Sequence, residues 1–409
     1  MRPETVVVGG GVAGLVVARR LALAGRSVRL LEASDRLGGQ LAPQRLAGVD
    51  LDAGAESFAT RGGAVAALLD ELGLSPDVVA PEPGPAWVQR ARGGAVPLPA
   101  SGLLGIPADP RDPGVVVALG PRAALRAQGD ELLEPGVGAD AVTLADLVVA
   151  RMGETVLETL VAPVVRGVYS REARELPVDV ASPHLRAALA EHGSLAAAVR
   201  ALRAAAPAGS LVGGLRGGMF RLADALAAEI ARLGVAVETG VAPDAVPEDA
   251  VLAAPRPGAP ARTVTLVTLV LETAALDDAP RGSGLLVAEG SAVLARALTH
   301  LSAKWRWVAD ALPGCHVLRL SYDAAPADPV ATALADARTM FDADLPEPVD
   351  ASIRAWTRAA PDPDGWAGPR VGEAVAGIGL ASVIPHAERV AGQLIDDSRP
   401  AEGRGRMDT

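Results

Sequence analysis

The feature that most constrains this chain is a glycine fingerprint within its first 40 residues. An apolar run at 6–8 leads into Gly9, Gly11 and Gly14, and a second apolar run ends at Glu32. The first glycine permits a tight turn, the second lets a pyrophosphate approach the backbone, and the third lets helix and strand pack closely. The acid accepts hydrogen bonds from a ribose, and the helix N-terminus favours an anion. The spacing predicts a βαβ unit that binds a dinucleotide, with a tight turn that holds no ligand as the alternative.

Two further elements indicate which dinucleotide is bound. Arg36-Leu37-Gly38-Gly39 is an R-x-G-G element, and Asp52-Ala53-Gly54 is a D-x-G element. Domains that bind NAD need neither of them. Both resemble elements of the flavin amine oxidase superfamily, in which they approach the FAD diphosphate and the isoalloxazine ring. The resemblance implies FAD as the cofactor.

Composition excludes several classes of function. A net charge of −11 offers no basic footprint for nucleic acid. The single cysteine, Cys315, rules out a disulfide framework and suits a reducing cytoplasm. The five histidines are scattered without ligand spacing, so no metal site is predicted. No apolar stretch is long enough to span a bilayer and no signal peptide precedes the first strand, so we expect a soluble protein.

The order of the patterns predicts an α/β fold built from interleaved domains. The expected parts are a Rossmann-like FAD-binding domain of the amine oxidase and PHBH-like type, an α+β substrate domain and a helical subdomain. Segments 263–276, 283–290 and 316–322 are predicted to be antiparallel strands of the substrate domain. The predicted boundaries are 1–80, 208–262 and 365–398 for the FAD-binding domain, 81–207 for the loop-rich and helical cap, 263–364 for the antiparallel-sheet domain, and 399–409 for a disordered tail.

Along nearly its whole length the chain resembles the protoporphyrinogen oxidase and coproporphyrinogen III oxidase family. The most family-specific elements are G-V-Y at 167–169 and S-A-K-W at 302–305. The other matching stretches are 52–74, 96–110, 161–170, 215–227, 282–290, 300–322 and 375–394.

The resemblance implies a reaction as well as a fold. FAD would take hydride equivalents from a porphyrinogen in three rounds, and O2 would reoxidise the flavin and yield peroxide. Because the chemistry is centred on the flavin, no catalytic side chain is assigned. Soluble members from high-GC Gram-positive lineages tend to act on coproporphyrinogen III, which ranks that substrate above protoporphyrinogen IX. The implied location is the cytoplasm, with loose membrane contact left open, and a ferrochelatase is the expected recipient of the product.

The resemblance also implies the site residues. Arg61, Gly167, Val168 and Tyr169 are candidates for the substrate site, and Arg90 and Arg92 are further candidates for pairing with substrate propionates. The residues expected to bind FAD are Gly9, Gly10, Gly11, Val12, Ala13, Gly14, Glu32, Ala33, Arg36, Gly38, Gly39, Gly54, Ala55, Glu56, Ser57, Val241, Ile378, Gly379 and Leu380.

The chain departs from the family at two shortened segments, 241–250 and 356–372, and Val383 stands where a cysteine is common. These departures keep open a degenerate FAD- or porphyrin-binding protein without turnover. Another amine oxidase-type enzyme is disfavoured, because an aromatic cage at the flavin needs more tyrosines than the two present. A nicotinamide-dependent reductase is disfavoured by the R-x-G-G element and by the lack of a second G-x-G-x-x-G unit.

Overall fold

The computed structural model describes residues 4–99, 101–169, 171–204, 212–241, 247, 249–255, 258–259, 261–359 and 366–397. The tail at 399–409, predicted to be disordered, lies outside the described residues, as does most of the shortened segment at 241–250.

The chain divides into two compact units. The first unit comprises Met1–Pro81, Ser210–Val264 and Arg354–Thr409, and the second comprises Glu82–Gly209 and Thr265–Ile353. Most of the helical and antiparallel-sheet regions, expected from the sequence as separate domains, fall together in the second unit, whereas 263–264 and 354–364 belong to the first. The mixture of parallel sheet, antiparallel sheet and helices agrees with the predicted α/β class.

The strands are β1 (Thr5–Val8), β2 (Val28–Glu32), β3 (Pro43–Leu46), β4 (Val49–Asp52), β5 (Phe58–Ala59), β6 (Val78–Val79), β7 (Trp87–Gln89), β8 (Ala95–Pro97), β9 (Val212–Leu215), β10 (Ala236–Thr239), β11 (Val251–Leu252), β12 (Ala261–Glu272), β13 (Gly284–Val287), β14 (Ala297–His300), β15 (Cys315–Tyr322) and β16 (Asp350–Ala359).

The helices are α1 (Val12–Leu23), α2 (Ala64–Glu71), α3 (Pro113–Leu119), α4 (Pro121–Gln128), α5 (Leu144–Met152), α6 (Glu154–Val156), α7 (Ala162–Tyr169), α8 (Val178–Ala181), α9 (Leu185–His192), α10 (Leu195–Ala204), α11 (Phe220–Arg232), α12 (Leu301–Lys304), α13 (Arg306–Ala311), α14 (Pro329–Phe341), α15 (Glu373–Ala376) and α16 (Leu380–Asp397). Short 3-10 turns at Ser75–Asp77 and Gly129–Leu132 and a π turn at Leu157–Val161 join some of them.

A parallel sheet in the order β10-β2-β1-β11 forms the centre of the first unit. The apolar runs of the fingerprint become its inner strands, and Val7 aligns with Leu30 on one side and with Val251 on the other. These side chains belong to the core that α1, α11 and α16 cover. A Cβ on Gly14 would lie 1.9 Å from the carbonyl oxygen of Gly9, so only glycine allows α1 to approach β1 this closely.

The segment at 366–371 extends this sheet beyond β11. Leu252 aligns with Arg370 in a parallel bridge. The amide of Leu252 donates to the carbonyl oxygen of Pro369 at 2.9 Å, and the amide of Val371 donates to that of Leu252 at 2.9 Å. This segment leads through α15 into α16, which packs on α1 through residues such as Ile384. The chain therefore returns, after an insertion of most of its length, to the sheet on which it started.

A larger sheet, most of whose residues belong to the second unit, has the order β16-β12-β15-β14-β13-β7-β8. The strands predicted at 263–276, 283–290 and 316–322 are present as β12, β13 and β15, and α14 packs on them through residues such as Leu334 and Phe341. Strands β14 and β16 were not predicted, since β14 is only four residues long and β16 carries two arginines.

A buried ion pair links the helices of the second unit. The Arg151 Nε atom lies 2.6 Å from Asp130 Oδ1, and both side chains are fully buried. The other carboxylate oxygen of Asp130 accepts from the amide of Ala196 at 2.8 Å, and the Arg151 guanidinium also donates to the carbonyl oxygens of Glu134 and Gly193. Such a pair must be matched by further hydrogen bonds to offset the cost of desolvating two charges.

A chain of titratable side chains runs from the surface of the second unit into its core. Asp277 Oδ1 lies 3.0 Å from His316 Nε2, and His316 Nδ1 lies 3.0 Å from His300 Nε2. His300 is fully buried and meets the edge of the Phe341 ring. Burial, with a smaller contribution from the neighbouring His316, lowers the pKa of His300 to about 3. His300 is therefore neutral at physiological pH.

Candidate cofactor site

A cavity of about 830 Å³ opens in the first unit at the carboxyl ends of its parallel strands. Val8, Leu31 and Leu252, which end or nearly end β1, β2 and β11, all line it, and so does Val241 after β10. Ligands of open α/β sheets bind at this edge, and the volume is in the range for cofactor sites. Every residue that lines the cavity belongs to the first unit.

The glycine loop and the start of α1 form one wall of the cavity. Gly9 has a φ of +105°, which favours glycine. Gly11 lines the cavity, and a Cβ there would meet no atom of the described chain within 4 Å. Gly11 is also the N-cap of α1, and no described side chain caps that end. The helix therefore directs unsatisfied N–H groups and the positive end of its dipole at an open space that fits a pyrophosphate.

Glu32 is held rigidly at the edge of the cavity. Its Oε2 atom accepts from the amide of Gly10 at 2.6 Å, and its Oε1 atom accepts from the amide and hydroxyl of Ser34 at 2.8 and 2.7 Å. A carboxylate offers about four lone-pair positions, so these three donors leave about one for a ligand hydroxyl. Glu32, the predicted ribose acceptor, can therefore accept a hydrogen bond from a ligand in about one remaining direction.

The R-x-G-G element contributes its glycines to the cavity and its arginine to the loop. Gly38 and Gly39 line the cavity. The Arg36 guanidinium instead donates to the carbonyl oxygens of Leu37 and Gly39 and lies 6.0 Å from the centre of the Trp356 ring. Arg36 therefore shapes the backbone that faces the cavity, and direct contact of its side chain with FAD stays a prediction.

In the D-x-G element too, the charged side chain has a structural role, and the residues after the glycine line the cavity. Asp52 is buried, and its carboxylate accepts from the amides of Met219 and Phe220 at 2.9 and 3.0 Å, which caps the start of α11. A Cβ on Gly54 would lie 2.2 Å from the carbonyl oxygen of Gln40, so the backbones touch there. Ala55 and Ser57, which follow, line the cavity.

Sequence reasoning missed the opposite wall of the cavity, which comes from residues distant along the chain. It includes Trp356 and Arg358 from β16 and Glu373 from α15. The Arg358 guanidinium pairs with Glu373 at 3.1 Å, Gln40 donates to the same carboxylate at 3.5 Å, and the Trp356 Nε1 atom donates to the carbonyl oxygen of Ala53 at 3.0 Å. The sequence does show that Trp356 and Arg358 are two residues apart, so that they would share one face of a strand. It does not show which sheet that strand joins, and so it does not place them at the cavity.

Most of the predicted FAD-binding residues meet at this cavity. Those that do not line it are Gly10, Gly14, Arg36, Gly54, Glu56 and Ile378. Those that do are Gly9, Gly11, Val12, Ala13, Glu32, Ala33, Gly38, Gly39, Ala55, Ser57, Val241, Gly379 and Leu380.

The predicted substrate residues are not brought together in this way. Arg61 is exposed in the first unit, and its guanidinium donates to the Ser382 hydroxyl at 3.3 Å. Arg90 donates to the carbonyl oxygen of Gly94 within its own loop, and Arg92 is exposed in the same loop. Gly167 lies in α7, where a Cβ would lie 2.8 Å from the end of the Leu286 side chain. The side chains of Val168 and Tyr169 lie outside the described part of the structure.

The described ranges hold no group of three or more His, Cys, Asp or Glu residues arranged to bind a metal ion. None of their helices combines the length and apolar character that crossing a bilayer requires.

Comparison with known proteins adds to this geometry. The model of the family "Flavin containing amine oxidoreductase" matches residues 12–243. The coproporphyrinogen III oxidase of Mycobacterium tuberculosis is 32% identical over 95% of this chain and 92% of its own length, and that of Mycobacterium leprae is 30% identical over 87% of each. The structure of a "Putative protoporphyrinogen oxidase" from Exiguobacterium sp. 255-15 superposes with a TM-score of 0.82 at 20% identity, covering 97% of this chain and 100% of the other.

Proposed function

This chain belongs to the flavin containing amine oxidoreductase family, and on that premise we propose that it oxidises a porphyrinogen to the corresponding porphyrin. One observation carries the proposal. The chain has a cavity that fits a dinucleotide and resembles, over 95% of its length, proteins named coproporphyrinogen III oxidase.

The residues of the cavity fit FAD, which is the cofactor that the R-x-G-G element predicts and that the family carries. The open space at Gly11 and the start of α1 would hold the pyrophosphate, and Glu32 would accept from a ribose hydroxyl. Gly39, Ala55 and the opposite wall would enclose the remainder of the cofactor. When bound, FAD supplies a two-electron acceptor that O2 can reoxidise.

The acids and bases that line the cavity do not suggest general acid–base catalysis. In the described lining they are Glu32, Arg358 and Glu373, of which the last two form an ion pair. The protein would therefore act by binding, orienting the porphyrinogen and excluding water. Overall, a porphyrinogen loses six electrons and six protons in three rounds, and three O2 molecules accept them to give three molecules of hydrogen peroxide.

Within this proposal, coproporphyrinogen III is the favoured substrate and protoporphyrinogen IX is the alternative. The mycobacterial relatives bear the name of the former. Its four carboxylates call for cations at the entrance, and exposed Arg61 is one candidate because guanidinium pairs bidentately with carboxylate. Oxidation in the cytoplasm, with the product passed to a ferrochelatase, completes the proposal.

The test is a turnover assay on the purified full-length chain. Its absorption spectrum should show bound flavin, and porphyrin fluorescence should grow in air with coproporphyrinogen III faster than with protoporphyrinogen IX. Three O2 should be consumed and three peroxides formed per porphyrin. The Gly11→Ala variant serves as the blank for spontaneous oxidation of the substrate. Bound flavin without fluorescence above that blank would instead support a carrier without turnover, and absence of flavin would contradict the proposal.

A further inference from the structure

The cavity continues across one face of the parallel sheet, beside Glu32. Leu31, Val8 and Leu252 are aligned neighbours on β2, β1 and β11. Side chains alternate between the two faces of a sheet. The residue before each of the three belongs to the core beneath α1, so this row lies on the opposite face. All three residues line the cavity and give it an apolar floor.

Trp366 packs beside this row, on the β11 side, in the segment that pairs with β11 through Arg370. Its side chain packs against Val8 and Leu252, and it lines the cavity. Its Nε1 atom donates to the carbonyl oxygen of Ala250 at 2.9 Å. The backbone behind the ring is fixed as well, because a Cβ on Gly368 would lie 2.4 Å from that same carbonyl oxygen. The indole is therefore anchored at its edge while the ring contributes to the cavity.

We propose that Trp366 bounds the adenine end of the FAD site and contacts the adenine ring. The proposal rests on the proposed function in so far as the ligand is FAD. Glu32 would accept from the ribose to which adenine is attached, so adenine must lie within one glycosidic bond of that sugar. The apolar row begins at Leu31, directly before Glu32, and leads to Trp366. Of the two flat heteroaromatic rings of FAD, adenine is the one attached to this ribose, and such a ring suits an apolar floor beside an indole.

The same reasoning separates the roles of the two tryptophans in the cavity. Trp356 lies beside Gly54, where the opposite wall meets the D-x-G element. Trp366 lies with β1 and β11 on the sheet face. Trp366 should therefore affect ligands that contain adenine, and it should leave ligands that contain only the isoalloxazine ring unaffected.

The test measures binding by calorimetry, with the full-length chain stripped of its cofactor and three probes: FAD, ADP and riboflavin. Trp366→Leu should weaken the binding of ADP and of FAD by the same factor, about tenfold, because the stacking contact with adenine is lost. The affinity for riboflavin should not change. Trp366→Phe should restore most of the loss. Trp307→Phe, in the second unit and not among the residues that line the cavity, is the matched control and should change none of the three.

Tryptophan fluorescence gives a second readout, which uses the conservative Phe variants and does not require Trp366→Leu to be stable. ADP should quench part of the wild-type emission, the quenching should persist in Trp307→Phe and it should be lost in Trp366→Phe. Unchanged ADP affinity and quenching in the Trp366 variants would overturn the inference while leaving the proposed function intact. A wild-type chain that binds neither FAD nor ADP would instead contradict the proposed function itself.

Discussion

The two units of this chain bury polar groups in different ways. In the first unit, one wall of the cavity is formed by backbone and small residues whose positions follow from the spacing of glycines in a short segment. In the second unit, the buried polar groups are side chains such as Arg151 with Asp130 and His300 with His316, which come from separate elements. The first arrangement can receive a charged ligand, whereas Arg151 and Asp130 of the second pair with each other and with backbone groups of the protein. Local spacing thus encodes a binding site, and tertiary packing encodes an internal network.

The largest expected effect tests the internal network of the second unit. Arg151→Met leaves the Asp130 carboxylate buried without its partner, which should lower the free energy of unfolding by about 3–5 kcal/mol. Chemical denaturation monitored by circular dichroism measures it. Arg111→Met is the control, since the pair of Arg111 with Glu131 lies at the surface and its loss should change stability little. Equal effects of the two variants would show that burial of the Arg151 pair does not matter.

The next effect tests the packing glycine of the first unit. Gly14→Ala places a methyl group 1.9 Å from the Gly9 carbonyl oxygen, so helix and strand must separate. Overpacking of this kind should cost about 1–3 kcal/mol in the free energy of unfolding and should reduce flavin content together with stability. Gly392→Ala in α16 meets no described atom within 4 Å and should stabilise the helix slightly, which makes it the control. A stable Gly14→Ala variant with normal flavin would contradict the close approach of α1 to β1.

A further effect, on the second unit, depends on pH. Unfolded, His300 binds a proton below its ordinary pKa of 6.5, whereas the folded protein does so only near pH 3. Acidification through that window therefore favours the unfolded state, and stability should fall by about 1.4 kcal/mol per pH unit from this residue alone. The contribution is fully present above pH 6.5. Denaturation curves from pH 7.5 to 4 for the wild type and for His300→Asn should differ in slope by that amount, and parallel curves would contradict it.

The sequence predicted the first unit better than the second, for physical reasons. The βαβ unit was predictable because the conformations of Gly9 and Gly11 follow from local geometry. Recognising the motifs did not reveal the structural role of each residue in them. Arg36 donates to carbonyl oxygens of its own loop, and Asp52 caps α11. Trp366 and the opposite wall could not be predicted, because they reach the cavity only through the pairing of distant strands.

The second unit offered fewer local signals. His300 lies within a recognised family stretch, yet nothing in its spacing shows that it is buried against His316, sixteen residues later. The substrate candidates, Gly167 among them, were chosen from a short family element rather than from a pattern with a physical requirement. Their roles at a substrate site therefore stay predictions.

One measurement tests most directly the claim that the first-unit cavity holds the cofactor. Gly11 has a φ of −69° and a ψ of 175°, which alanine adopts readily, and its added methyl group would meet only the open space of the cavity. The free energy of unfolding of Gly11→Ala should therefore lie within about 0.5 kcal/mol of the wild-type value. Its flavin-to-protein ratio after purification should fall to about a tenth or less, because the methyl group occupies the approach of the pyrophosphate. A folded Gly11→Ala protein that carries as much flavin as Gly392→Ala would contradict the account.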